Sequence, residues 1–285
     1  MSTGSSSNEN AYIIDAESAS EMARLMHQDH LMTERMSGLF PAGIDLSQVH
    51  TVLDLACGPG SWVLDVAYEY PAIEIVGTDI SNRMIRYAQT RAHTQQLHNT
   101  SFQVADILQP LDFPANSFDF VNARTLVGFM SPASWPELLQ ECMRVTRPDG
   151  FIRLTELELS LSNSPANEKI NALLARAGYL SKRTFSPDGR HIGITPMLGR
   201  FLRDIGCKDI QHAAHAIDFS AGSEAQEEFF QNMTAGLHLL RPFLLKMQVV
   251  TAEEIDSLYQ QAMAEIQADD FCAILYFLSV WGRKP

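Results

Sequence analysis

Between His50 and Glu158, short apolar runs alternate with stretches of helical periodicity, and that alternation restricts the fold more than any other feature of the chain. TVLDLA (51–56), IEIVGTD (73–79), TSFQVAD (100–106), SFDFVNA (117–123) and FIRLTELEL (151–159) read as strands. SWVLDVAYEY (61–70), ended by Pro71, reads as a helix. So do NRMIRYAQTRAHTQQ, behind a Ser81 N-cap, and SPASWPELLQECMRVTR (131–147). Near-continuous apolar strands separated by helices predict an α/β domain with a parallel sheet.

The flanks are mostly helical. AESASEMARLMHQDHLMTERMSGLF (16–40) has helical spacing, in one or two pieces, and Pro41 stops it. Residues 167–181 and 196–206 read as helices, KDIQHAAHAIDF (208–219) holds a strand, and 222–268 is helical with a break expected at Pro242. FCAILYFLSVWGRK (271–284) reads as a final strand inserted into the sheet.

Composition narrows the function classes. The formal charge is -13 and no Lys/Arg block appears, so a small-molecule ligand is expected rather than nucleic acid. No apolar run reaches the roughly eighteen residues of a membrane span, and MSTGSSSNEN has the composition of a flexible tail, not of a signal peptide. Cys57, Cys142, Cys207 and Cys272 lie far apart without zinc-ligand spacing, so reduced thiols in a cytoplasmic protein and no metal site are expected.

VLDLACGPGSW (52–62) is a strand running into a glycine turn, whose amides and following helix N-terminus suit an anionic or amino-acid-like ligand. The dinucleotide fingerprint wants a third glycine where Val63 stands, so the turn alone leaves phosphate and amino-acid ligands both open. Four further features lie at carboxyl ends of parallel strands, where open α/β sheets bind ligands. Asp54 sits inside an apolar strand, Asp79 ends the second strand, Asp106-Ile107 closes the third, and Asn122-Ala123-Arg124 follows the fourth. Cys57 reads as a small turn residue and Trp62 as core packing.

In that order, VLDLACGPGSW, VGTDIS, QVADI, SFDFVNAR and LLQECMRVTRPDGFIRLTELE resemble the motif set of class I S-adenosylmethionine-dependent methyltransferases of the small-molecule type. The resemblance covers roughly residues 50–158, and AILYFLSVWGRK is similar to the family's antiparallel last strand. It implies a Rossmann-like fold, a seven-stranded mostly parallel sheet with an antiparallel last strand, plus a helical cap. The implied organisation is a tail (1–10), a helical cap (11–45), a donor-binding core (46–159), a substrate-covering insertion (160–195), and the end of the sheet (196–285) with a helical insertion (218–270). It also implies S-adenosyl-L-methionine as co-substrate. Asp54, Ala56, Gly58, Pro59, Gly60 and Ser61 would meet the methionine moiety, and Asp79 the ribose hydroxyls. Ile80 and Met84 would line the adenine, with Asp106 on its amine and Ile107 stacked beside it. Asn122, Ala123 and Arg124 would face the sulfonium and amino-acid end, where the Arg124 cation can pair with a carboxylate but repels a sulfonium.

The expected reaction is methyl transfer to an O, N or C atom of a small organic molecule such as a secondary metabolite, by a monomer or homodimer. A non-methylating binder or cyclase and an RNA or protein methyltransferase are the alternatives. Candidate proton acceptors are Glu156, His191 and His30; Glu156 and Glu158 alternate on a strand, so at most one faces a pocket. Met32, Met36, Tyr179, Phe185, Met197, Phe229, Phe230, Met233 and Phe243 are candidates for an apolar pocket, with fewer than half expected to touch substrate.

Overall fold

A computed structural model describes residues 19–36 and 38–285; the expected tail (1–10) and the start of the cap lie outside the described residues. Strands β1 (Thr51–Leu55), β2 (Glu74–Asp79), β3 (Thr100–Val104), β4 (Phe118–Arg124) and β5 (Thr146–Leu157) run parallel in the order β3-β2-β1-β4-β5. β6 (Leu161–Ser162), β7 (Lys208–Asp218) and β8 (Ala273–Arg283) complete the sheet. β8 lies antiparallel between β5 and β7, and β6 pairs with its first residues, Leu161 opposite Ile274. Among the described residues the sheet therefore has eight strands; the one beyond the expected seven is the two-residue β6, which continues along the β8 edge after β5 leaves it.

Strand alternation sends successive side chains to opposite faces, and helices cover both. On one face Val52 and Phe120 pack with α2 (Ser61–Glu69) and α3 (Asn82–Thr94). On the other, Leu53, Val121 and Ile152 pack with α4 (Trp135–Val145) and, further along the chain, Leu198 and Leu202. α3 begins where expected, its Ser81 hydroxyl accepting from the Met84 amide at 3.1 Å. β5 starts at Thr146 and carries Pro148-Asp149-Gly150 within it, five residues before the expected strand, with a register shift opposite Phe118 and Phe120.

The N-terminal helix, Ala19–Arg35, ends before Pro41, in one piece among the described residues. This is α1, and it packs on α2 and on the first of the two helices that precede β8. The 160–195 segment contains α5 (Pro165–Leu180); α6 (Leu198–Asp204) then leads into β7. The 218–270 segment forms α7 (Gln226–Lys246) and α8 (Ala252–Ile266). Pro242 does not break α7: a proline removes one amide, whereas Leu237 and Leu244 on either side of it are buried in the cap and hold the helix together. The break falls at 247–251, where Gln248 is left-handed (φ 55°) and Thr251 opens α8 with a reciprocal capping box to Glu254.

Candidate active site

The carboxyl ends of β1, β2 and β4, the loop after β3 and one face of α1 enclose a cavity of about 330 Å³. The glycine turn forms its floor. Gly58 and Gly60 are both left-handed (φ 54° and 78°), a conformation that costs glycine little. The Gly58 amide donates to one Asp79 carboxylate oxygen at 2.9 Å, and the Ser81 amide donates to the other at 2.8 Å, so Asp79 ties the turn to the start of α3. Asp106 accepts from the Leu108 amide at 3.0 Å and shapes the loop after β3. Ala56 and Thr125 are also left-handed (φ 54° and 55°) although neither is glycine. Both line the cavity, and such strain gathers where a wall has to be held in one shape.

Register builds a polar row behind the cavity. Asp54, Asn122 and Arg153 are neighbours across β1, β4 and β5, all on the face that carries Val52 and Phe120. The Asn122 amide donates to Asp54 Oδ1 at 2.7 Å, and Arg153 Nε donates to Asn122 Oδ1 at 2.7 Å. Arg153 Nη1 donates to the Leu39 carbonyl at 2.7 Å, and its guanidinium lies 5.0 Å from the Trp62 ring. Trp62 is core, as expected, with Nε1 donating to the same Leu39 carbonyl at 3.2 Å. Burial pushes the Asp54 carboxyl up to about 7, against the pull of Arg124 and the Asn122 amide. Burial, with Arg124 nearby, lowers Arg153 to about 9, still a cation at neutral pH. Burial and the neighbouring carboxylates Asp79 and Asp54 raise the Cys57 thiol well above its ordinary value.

Of the expected donor-binding residues, Asp54, Ala56, Gly58, Pro59, Ser61, Asp79, Ile80, Met84, Asp106, Ile107 and Arg124 line the cavity. Gly60, Asn122 and Ala123 do not; Gly60 is packed under the turn, Asn122 is wholly buried in the polar row, and Ala123 belongs to the core on the opposite face. The candidate proton acceptors stand elsewhere. His30 is exposed, 3.4 Å from Glu34, and His191 is exposed on the 160–195 segment. Glu156 is fully buried and accepts from the Leu126 amide at 2.7 Å and the Val127 amide at 3.4 Å. Glu158 likewise accepts from the amides of Ile192 and Gly193, both at 3.1 Å. Both carboxylates secure backbone turns, so neither alternation choice reaches the cavity.

Burial pushes Glu156 up to about 8 against those two amides. Glu156→Gln keeps an acceptor for Leu126 and should leave donor affinity and turnover within about threefold of wild type. Glu156→Ala strands two amides and should cost on the order of 2–3 kcal/mol in urea unfolding. A turnover loss of 100-fold or more in the glutamine variant, with normal stability, would restore a proton-transfer role. His30→Ala and His191→Ala should both keep turnover within about twofold, because neither imidazole is at the cavity wall.

The sequence reading missed one wall. Leu25, Gln28, Asp29 and Met32 line the cavity from α1 at i, i+3, i+4 and i+7, a single helical face whose spacing was available from the sequence. Thr125, Leu108, Gln109 and Phe129 close the remaining side. Of the nine candidate pocket residues only Met32 lines the cavity, while Phe229, Phe230, Met233 and Phe243 fill the cores of the helical cap. Arg124 is resolved in direction: its guanidinium pairs with Asp29, donates to Thr33 Oγ1 at 3.2 Å, and lies 5.5 Å from the Trp62 ring.

Comparison with known proteins agrees with this architecture. A family profile described as a methyltransferase domain matches residues 52–150. Methyltransferase pytC of Aspergillus terreus is 24% identical over 276 residues, covering 93% of this chain and 81% of that protein. Demethylmenaquinone methyltransferase of Deinococcus radiodurans is 35% identical over 105 residues, 37% of this chain and 42% of that one. Among solved structures, phosphoethanolamine N-methyltransferase 2 of Haemonchus contortus, in complex with phosphomonomethylethanolamine and S-adenosylhomocysteine, has the same fold. Its TM-score is 0.53 at 16% identity, over 93% of this chain and 57% of that chain. The profile spans the strands whose ends build the cavity and the relatives carry one activity in their names, so residues 52–150 match a methyltransferase domain and the chain is similar to class I S-adenosylmethionine-dependent methyltransferases.

Proposed function

We propose that this methyltransferase acts on an O, N or C atom of a small, largely apolar organic molecule, and that the acceptor is held between the glycine turn and α1. The observation that carries this reading is the wall opposite the turn, where Leu25, Met32 and Phe129 face the cavity and no histidine lines it among the described residues. Apolar walls with a few placed polar groups suit a small organic ligand. The names of two relatives, a demethylmenaquinone and a phosphoethanolamine methyltransferase, support a small acceptor.

The residues present fit the donor. Ile80 is 48% exposed at the cavity edge, a large apolar side chain that an adenine ring would cover. Asp79 would take the ribose hydroxyls, Asp106 the adenine amine, and Ile107 and Met84 the ring faces. Asp54 would hold the ammonium of the methionine end, with Gly58 to Ser61 against its backbone and Arg124, paired with Asp29, beside the sulfonium. When bound, the donor presents a methyl group already activated by a positively charged sulfur. The work left to the chain is to exclude water and hold the acceptor atom in line, roughly 3–3.5 Å from the methyl carbon. α1 supplies the cover in this reading, with α7 packed behind it. No helix among the described residues is long and apolar enough to cross a membrane.

The test is methyl transfer from isotope-labelled S-adenosylmethionine into a cell extract split into metabolite and macromolecular fractions. Label should enter the metabolite fraction. Label confined to RNA or protein would overturn the small-acceptor reading.

A further inference from the structure

Arg124 poses a charge problem that the structure answers with a residue outside the motif-bearing core. It stands at the end of β4 beside Asp54, with its side chain only 9% exposed, and it lines the cavity that would hold a sulfonium. A guanidinium there would repel the donor's positive sulfur, strongly so in a partly desolvated site. Asp29 lies against it. The two form an ion pair from α1 to β4, and Thr33, one helical turn beyond Asp29, accepts a second bond from the same guanidinium. The other Asp29 carboxylate oxygen is buried without a hydrogen-bond partner, so the group remains in this apolar setting chiefly as a counter-charge.

The cavity wall holds Asp29, Asp54, Asp79 and Asp106 against Arg124 as its one cation among the described residues. Methyl transfer alters the charge that this wall meets. The acceptor lone pair forms the new bond to the methyl carbon and the carbon–sulfur bond breaks. Its electron pair stays on sulfur, which becomes a neutral thioether, and any proton displaced from the acceptor passes to solvent. Donor and product therefore differ at the sulfur by one positive charge and a methyl group.

We propose that Asp29 is a specificity-determining residue of the donor site: by neutralising Arg124 it lets the cavity favour the sulfonium donor over its uncharged-sulfur product. This rests on the donor reading given above. It makes the N-terminal helix part of donor recognition, and it gives the enzyme a means to release product, because the attraction at sulfur disappears when the methyl leaves.

The prediction is read as a ratio of affinities. Calorimetric titrations with S-adenosylmethionine, S-adenosylhomocysteine and sinefungin (an analogue with an ammonium in place of the sulfonium) should be run on the full chain. Comparison is between wild type, Asp29→Asn, Arg124→Gln and the double variant. Asp29→Asn preserves shape and should weaken S-adenosylmethionine and sinefungin about tenfold more than S-adenosylhomocysteine. Adding Arg124→Gln should return the ratio to within about threefold of wild type, since the exposed cation is then gone. Retained S-adenosylhomocysteine binding shows that each variant is folded. An unmoved ratio in Asp29→Asn, or one that the second substitution does not restore, overturns the role of Asp29 alone. Failure of wild type to bind any of the three overturns the donor reading and this proposal with it.

Discussion

Replacing Asp54 with asparagine should stabilise the empty protein at pH 8 while removing most of its affinity for S-adenosylmethionine. The side chain is 4% exposed, and its carboxyl is raised to about 7 by burial. A folded-state pKa above the unfolded value means that the native protein binds this proton more tightly than the unfolded chain. The resulting stability is present in full below the unfolded value near 3.8 and is lost as pH rises through about 7. At pH 8 the wild type holds a buried carboxylate with one hydrogen bond from Asn122 and the more distant Arg124 and Arg153 cations.

Asparagine has the same shape without that charge. Roughly three pKa units set a ceiling of about 4 kcal/mol, and relaxation around a buried group makes about 2 kcal/mol the expectation. Such a gain corresponds to a Tm rise of about 4–8 °C by calorimetry at pH 8, falling by about half or more at pH 5 and vanishing only below the unfolded value near 3.8, where both states are protonated. Donor affinity should fall about 100-fold or more, because the charge proposed to hold the ammonium is gone. The same titration makes wild-type donor affinity drop about tenfold per pH unit below 7. A variant that melts at or below wild type at pH 8 would refute the argument. A site that gains stability when its key residue is neutralised is a site in which folding has been traded for binding.

The second large effect is steric. Gly60→Ala should destabilise the protein by about 2–4 kcal/mol, combining a left-handed backbone with overpacking. A Cβ on Gly60 would stand 2.8 Å from both Ala88 Cβ and Phe102 Cε1, so α2 or α3 must move off the sheet. Gly58→Ala separates the two causes. Its φ is also left-handed, but its Cβ would meet nothing nearer than Leu25 Cδ1 at 3.7 Å, which leaves the backbone cost of about 1 kcal/mol. Urea unfolding of the pair should therefore show Gly60→Ala less stable by at least about 1 kcal/mol. Equal losses would mean that backbone conformation alone accounts for both.

The glycine comparison also corrects an assumption about the turn. A third glycine, absent at Val63, was expected to be what lets helix and strand approach in a dinucleotide fingerprint. Here Gly60 itself makes that approach, assisted from β2 by Gly77, whose Cβ would stand 2.9 Å from Cys57 Sγ and Phe102 Cδ1. Local propensity predicts a break at Pro242, and burial of Leu237 and Leu244 overrides it, whereas the 148–150 turn persists inside β5 as a register shift with Asp149 left-handed (φ 65°). His30, His191 and Glu156 are candidates by residue type alone, and their elements turn none of them to the cavity wall. The α1 wall is a 25-28-29-32 face whose polar members, Gln28 and Asp29, fall outside an apolar pattern and so carry no periodic signal.

Local order along the chain was enough for the strands, the turn and the acids at their ends. Each apolar run is bounded within a few residues by turn chemistry, and a parallel strand delivers its last residue to one shared edge. Asp54, Asp79 and Asp106 reach the cavity for that reason. Arg153 and Asp29 could not be placed in this way. Arg153 meets Asn122 only because β5 pairs with β4 in one register, and a shift of a single residue would turn it to the opposite face. Asp29 meets Arg124 across 95 positions because α1 packs over the sheet's edge, a contact set by side chains from distant parts of the chain. The acids at the strand ends bring their charge to the cavity by local order, whereas the partners of Arg124 and Asn122 were decided by packing and register.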